Sequence, residues 1–145
     1  MKVEKLTLQQ IMDVRIRVLR NGTPVTHANY VEDSYPDVVH FGILENGIAV
    51  ATSTWLSKEC PGHENTPAFQ LKGMAVETSL QSSGYGAALI EAGIAHASKH
   101  GAHLVWARAR DSALYFYEKQ GFTVEGDGFI DGPTGMPHHI VTRKI

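Results

Sequence analysis

The stretch Gln81-Ser82-Ser83-Gly84-Tyr85-Gly86 constrains the fold more than any other. It separates an apolar run, 68–76, that reads as a strand from an Ala/Leu/Ile-rich run, about 84–100, that reads as a helix closed by Gly101. A helix N-terminus carries unpaired N–H groups and a partial positive charge. Glycines there let a phosphate come close to those N–H groups. Gly84 and Gly86 are expected on the first helical turn, with Ser82 and Ser83 as hydroxyl donors. A glycine early in a helix costs roughly 0.5–1 kcal/mol relative to Ala. Two of them call for a reason beyond structure, although a Ser-capped surface turn would account for the same residues. The dinucleotide fingerprint is incomplete, because Leu89 stands at its third glycine. The triphosphate loop is missing its Gly-Lys-Ser/Thr.

The rest of the chain alternates helix and strand signals. Thr7 with Gln10 is a capping-box pattern ahead of Ile11, Val14 and Val18 at helical spacing, and Asn21-Gly22 ends that helix. Residues 23–37, with Pro24 and Pro36, read as a long loop. Asn46-Gly47 between two apolar runs, within 38–55, reads as a hairpin. Residues 57–67 read as a second loop and 103–109 as a strand. Asp111 or Ser112 is the expected N-cap of a short helix that ends at Gly121. Phe122 opens a short strand, 126–135 is turn-rich, and 136–145 is the last strand. The expected order is α-β-β-β-α-β-α-β-β: one α/β domain over 1–145 with a mixed sheet. No repeat, linker or low-complexity tract interrupts it.

Composition narrows the function classes. Of 145 residues, 43% are hydrophobic and 19% charged, with net charge −2, so the chain reads as globular. Lys and Arg are dispersed, which argues against a nucleic-acid partner. Cys60 is alone, so no internal disulfide forms. The opening MKVEKLTLQQ has no apolar core and no run approaches a membrane span. A cytoplasmic location with no membrane partner is expected. Among eight histidines, His96 and His100 share a helical face near His103, but no third ligand is fixed, and no metal is expected.

Three motifs in order give a more specific reading. Lys72-Gly73-Met74-Ala75-Val76, the loop Gln81 to Gly86, and Ala113 with Phe116-Tyr117-Glu118-Lys119-Gln120-Gly121-Phe122 together resemble the GCN5-related N-acetyltransferase (GNAT) family over nearly the whole chain. Arg17-Val18-Leu19-Arg20 and Gly135-Met136-Pro137-His138 resemble a branch of small bacterial members. The resemblance implies the acyl-CoA N-acyltransferase fold, a mixed central sheet with one splayed strand pair flanked by helices. It implies acetyl-CoA as co-substrate and direct transfer to a primary amine of a small molecule or peptide. The backbone of Met74, Ala75 and Val76 would pair with pantetheine, and Gln81, Ser82, Ser83, Gly84, Tyr85 and Gly86 would hold the pyrophosphate. The Val76 N–H would stabilise the oxyanion. Tyr117 would contact the cofactor and protonate the departing thiolate, because a phenol and a thiol have neighbouring pKa values. A plain core aromatic would satisfy the same position.

The general base is not fixed by the resemblance; Asp33, His40, Glu77 and His138 are candidates by chemistry. Many relatives carry Asn after the strand matching 103–109, where this chain has Arg108 and Arg110. Arg15, Arg17 and Arg20 lie on the first helix, where the family often builds its acceptor site, and suggest a carboxylate on the acceptor. Arg17, Arg20 and His138 are the expected substrate-side residues. The loops 23–37, 57–67 and 126–137 are expected to shape the acceptor pocket. A homodimer is common in the family. The competing reading is a non-catalytic CoA-binding sensor or interaction module on the same fold.

Overall fold

A computed structural model describes all residues from Met1 to Ile145. Helix α1 (Leu8–Leu19) starts as its sequence dictates. Thr7 Oγ1 accepts from the Gln10 amide at 3.2 Å, and Gln10 Oε1 accepts from the Thr7 amide at 2.8 Å. Strand β2 (Val39–Glu45) turns through Asn46 (φ 52°) and Gly47 (φ 78°) into β3 (Ile48–Ser57). Both turn residues are left-handed, as a two-residue hairpin loop requires. Strand β4 (Ala68–Val76) and helix α2 (Tyr85–Lys99) flank the serine-glycine loop. Strand β5 (Leu104–Arg110), helix α3 (Leu114–Lys119), β6 (Thr123–Ile130) and β7 (Pro137–Lys144) complete the chain.

The structure adds one element and corrects two boundaries. A three-residue strand, β1 (Glu4–Leu6), precedes α1 and pairs antiparallel with β2. So short a segment carries no period to read. Neither Asp111 nor Ser112 caps α3. Residues Asp111–Ala113 form a 3₁₀ turn, and Asp111 instead accepts from His139 Nδ1 at 2.6 Å. Residues 126–130 are strand, not turn: β6 runs to Ile130 through an irregularity between Glu125 and Phe129. The loop 23–37 also contains a 3₁₀ turn, Val31–Ser34.

The seven strands lie in the order β1-β2-β3-β4-β5-β7-β6. Only β4 and β5 run parallel; every other neighbouring pair is antiparallel. Helices α2 and α3 cover one face over an apolar core that includes Trp55, Phe69, Leu71, Leu89, Ile90 and Tyr117. A Cβ on Gly93 of α2 would lie 1.8 Å from the Trp55 ring, so helix and sheet close only around a glycine. Helix α1 covers the opposite face over β2–β4. Beyond it, the side chains of Gln70, Lys72, Trp106, Arg108, Arg110 and His138 form a sheet surface roofed by loops alone.

Within β4 the register slips. Lys72 faces Thr54 and Ala75 faces Thr52, so β4 carries one extra residue there. Gly73 sits in that bulge at φ +62°, and a Cβ on it would meet Arg15 Nε at 3.0 Å and the Tyr30 ring at 3.2 Å. The slip turns Met74 and Val76 onto the apolar core.

Candidate active site

Strands β4 and β5 pair from Ala68↔Leu104 to Leu71↔Ala107 and then part. Residues 72–76 of β4 remain paired to β3 alone. The Glu77 amide donates to Val50 O at 2.8 Å, closing the last rung on the β3 side. In an antiparallel ladder the next pair inward, Val76↔Ala51, turns its N–H and C=O away from β3. The Val76 carbonyl accepts from Gln81 Nε2 at 3.1 Å, which ties the loop to the strand end. Its N–H faces the gap between β4 and β5.

That gap opens into a cleft of about 1030 Å³. Met74, Val76, Gln81, Ser82, Gly86, Tyr117 and His138 line it. All three expected acceptor loops contribute: His27 and Tyr30 from the first, Lys58 and Pro61 from the second, Asp131 and Thr134 from the third. Ser83 and Gly84 are exposed at its mouth and Tyr85 turns away, bonded to Glu45.

The two glycines have different jobs. Gly84 is the N-cap of α2, at φ +88°, and a Cβ there would meet only the Met1 methyl, at an ordinary 3.9 Å. Ser82, two residues earlier, is also left-handed, at φ 65°, a conformation uncommon for a non-glycine residue and frequent at functional loops. Gly86 lies inside the helix and is buried; a Cβ there would meet the Phe116 ring at 2.8 Å. It clears a path for α3 as much as for a ligand, which corrects the expectation that both glycines serve the phosphate from one open turn.

Tyr117 packs edge-on against Phe116 and Phe122 at ring separations of 5.2 and 5.3 Å. Burial, with a smaller contribution from Tyr30, pushes its hydroxyl above the usual phenol range. It is therefore a proton donor throughout neutral pH. The position is both core and cleft, because its ring is buried while the residue lines the cavity.

Of the four base candidates, only His138 lines the cleft. Its Nδ1 lies 2.9 Å from Met136 O, so Nδ1 carries the proton and Nε2 keeps the lone pair when the ring is neutral. Asp33 is committed to Arg15 through both oxygens, at 2.8 and 3.1 Å. Buried His40 bonds Thr54 through Nδ1, and burial, aided by Arg15, lowers its pKa. Glu77 is paired with Arg17.

The arginines of α1 also sort by position. Arg15 is fully buried and ties Ala28 O, Asp33 and Thr54 together, a framework role. Arg17 is held by Asp13 and Glu77 and lies outside the main cleft, in a shallow hollow beside it, so the structure does not join it to the acceptor side. Arg20 does reach the cleft. Glu32, Lys58 and Lys72 form an unexpected cluster there, with Glu32 Oε2 at 2.9 Å from Lys58 Nζ and 3.2 Å from Lys72 Nζ. Burial alone would raise the Glu32 carboxyl, but Lys58, the backbone and Lys72 outweigh it and hold it down at about 2. Glu32 is thus a poor proton acceptor. Its signal was hidden in a loop with no period. The His96 and His100 rings lie 4.3 Å apart, tilted by 37°, beside Phe69 on the other side of the sheet from the cleft.

Comparison with known proteins bears directly on this architecture. Residues 36–124 match the family model described as an acetyltransferase (GNAT) domain. An uncharacterized N-acetyltransferase, YitI of Bacillus subtilis, is 26% identical over 144 residues, covering 99% of this chain and 95% of its own. Among solved structures, Escherichia coli ElaA superposes with a TM-score of 0.79 at 17% identity over 99% of both chains. An aminoglycoside 6′-N-acetyltransferase complexed with coenzyme A gives 0.73 at 13% identity, over 99% of this chain and 97% of that one. No helix of the chain is long and apolar enough to cross a membrane. With its parted parallel strands, its loop-capped α2 and this match over most of its length, the chain belongs to the GNAT family of N-acetyltransferases.

Proposed function

We propose that the protein is an acetyl-CoA-dependent N-acetyltransferase acting on a primary amine by direct transfer. One observation carries this reading: the unpaired edge of β4, with Val76 N–H facing the gap, leads through the 3₁₀ turn Thr78–Leu80 to the exposed N-terminus of α2 at Gly84, and Tyr117 lines the same cleft. The residues suit a long phosphorylated ligand. A free strand edge offers alternating donors and acceptors, and a left-handed Ser82 followed by Gly84 exposes N–H groups to an anion. Met74, Ala75 and Val76 would hold the pantetheine arm, and the loop Gln81, Ser82, Ser83, Gly84, Tyr85 and Gly86 the pyrophosphate.

Acetyl-CoA, when bound, supplies an activated thioester acetyl. The Val76 N–H is assigned to the charge that develops on the acetyl oxygen. The Tyr117 hydroxyl, kept protonated by burial, is assigned the proton that the sulfur needs on leaving. Nε2 of His138 is assigned the proton that the attacking amine must lose.

Calorimetric titration with acetyl-CoA, with NADH as control, tests the cofactor. Binding of acetyl-CoA alone is expected; its absence overturns the reading. Replacing Tyr117 by Phe should then lower turnover by about 10²-fold at unchanged acetyl-CoA affinity. Unchanged turnover removes Tyr117 from the role of acid. Binding without acetylation of any amine would favour the sensor reading.

A further inference from the structure

The cleft floor is not charge-neutral, and its surplus has an address. Its lining contains five cationic side chains: Arg20, Lys58, Lys72, Arg108 and Arg110. Lys58 and Lys72 share Glu32, and Arg108 reaches Asp131 at 3.3 Å. Arg20 and Arg110 have no carboxylate partner. Arg20 Nε donates to His27 O at 2.8 Å, and Arg110 Nη2 donates to Leu19 O. Both guanidinium groups therefore gather at the C-terminal end of α1 and bond only to main-chain carbonyls.

Arg110 is also half-buried, and it lies within electrostatic reach of Arg20, the Tyr30 hydroxyl and the Asp131 carboxylate, which is itself bonded to Arg108. Arg20 stands over the Tyr30 ring at 5.8 Å. Capping the last carbonyls of α1 would need one of these side chains. Two guanidinium groups brought together in a partly dry cleft repel each other unless an anion lies between them. A carboxylate matches their planar donor forks.

A second, independent observation marks the same floor as incomplete. Gln70 lines the cleft from β4 and is 1% exposed, yet its Oε1 has no hydrogen-bond partner. A buried amide oxygen left unpaired costs about 1–3 kcal/mol. A ligand N–H would satisfy it.

We infer that the acceptor is an amine that also bears a carboxylate, an amino acid or amino-acid-like molecule, held by Arg20 and Arg110. This rests on the acetyltransferase reading and deepens it. The carboxylate end is fixed near Arg110, which faces His138 across the β5–β7 ladder. The amine is thereby kept near the residue assigned to take its proton. The reaction joins nitrogen to the acetyl carbon and breaks the thioester carbon–sulfur bond. The amine proton goes to His138, and the sulfur gains its proton from Tyr117. An enzyme of this kind would consume a free amino acid and yield its N-acetyl derivative.

The test compares matched pairs that differ only in the anion. Glycine, alanine, leucine, phenylalanine, glutamate and lysine are each assayed with acetyl-CoA against their carboxamides, and aminomethylphosphonate against glycine. Calorimetry in saturating CoA compares the corresponding N-acetyl amino acids with their N-acetyl amides. The acid should exceed its amide by about 10²-fold in kcat/KM or affinity for at least one pair. In Arg110→Gln and Arg20→Gln that ratio should fall to within a few-fold of unity, with Arg110→Lys intermediate. Arg17→Gln should keep the wild-type ratio. Acetyl-CoA affinity is measured for every variant as the check that it folds.

Acid and amide performing alike in both assays overturns the inference, as does a ratio that survives in Arg110→Gln and Arg20→Gln or collapses equally in Arg17→Gln. A preference for aminomethylphosphonate over glycine overturns the carboxylate assignment. Loss of acetyl-CoA binding by the wild type would instead sink the acetyltransferase reading itself, so the two failures are separable.

Discussion

The two faces of β4 are built by the same alternation and do opposite things. Phe69 and Leu71 point into the core under α2, where their neighbours are Trp55, Leu89 and Ile90. Gln70 and Lys72 point the other way, into the cleft, beside Glu32, Tyr30 and the arginines. On the first face the contacts are mainly apolar and close-packed, with His96 and His100 beside Phe69. On the second, hydrogen bonds and charges are strong where paired and costly where not. Stability is concentrated on the first side, which meets the cleft only at its margin, through Met74, Val76 and Tyr117. The open side can therefore hold unpaired groups, such as the Gln70 carboxamide and two arginines, without unfolding the domain.

The largest expected effect tests the dry face. Gly93→Ala would drive a methyl into the Trp55 ring, and overpacking of this kind should cost about 3 kcal/mol, even after the better helix propensity of Ala. Urea unfolding measures it. The folded fraction should bind acetyl-CoA as the wild type does. A variant of full stability but altered affinity would show that the two faces are not separate.

The wet face contributes less, and its contribution depends on pH. The Glu32 carboxyl is depressed from 4.5 to about 2. Its stabilising effect is therefore present above about pH 4.5 and is lost as pH falls toward 2. The loss should be about 2 kcal/mol over that window. Glu32→Gln should flatten this limb of the stability–pH curve and leave Lys58 and Lys72 unneutralised at pH 7. An unchanged acid limb would place the acid sensitivity elsewhere.

The smallest effect concerns the loop between the faces. Gly84→Ala keeps its space but not its φ of +88°, and should cost about 1 kcal/mol of stability. It should also weaken acetyl-CoA affinity by about tenfold, read by calorimetry. Unaltered affinity would mean that the α2 N-terminus does not hold the pyrophosphate.

What could be read from the sequence follows the same division. Backbone geometry leaves letters behind. Asn46-Gly47 and the Thr7/Gln10 box each name a local conformation, and each is found where it was expected. The helices and long strands declared themselves by period. The failures are residues whose fate depends on a distant partner. Asp111 looked like a cap but is taken by His139, 28 positions away. Gly86 looked like a phosphate glycine but also makes room for Phe116. Strand β6 hides its extended run behind Gly126 and Gly128, because it is an irregular edge strand; a Cβ on Gly128 would meet the His139 ring at 2.8 Å. The three arginines of α1 could not be told apart, since burial of Arg15, pairing of Arg17 and exposure of Arg20 to the cleft are set by loops folded over them.

The bulge at Gly73 has a consequence for length variation. Because β4 carries one residue more than β3 needs there, residues 74–76 stand in the opposite phase from residues 70–72. Deleting Gly73 would take out that extra residue and leave a regular strand, in which Lys72 and Ala75 stand two positions apart and still share a side. Met74 and Val76 would stay on the core, and the Val76 N–H would stay directed at the gap. A single-codon deletion there would thus spare the direction of every main-chain donor beyond it and remove only the local bend that a bulge gives a strand. Homologous chains one residue shorter at this point should therefore keep the oxyanion donor and differ in the angle at which β4 leaves β5.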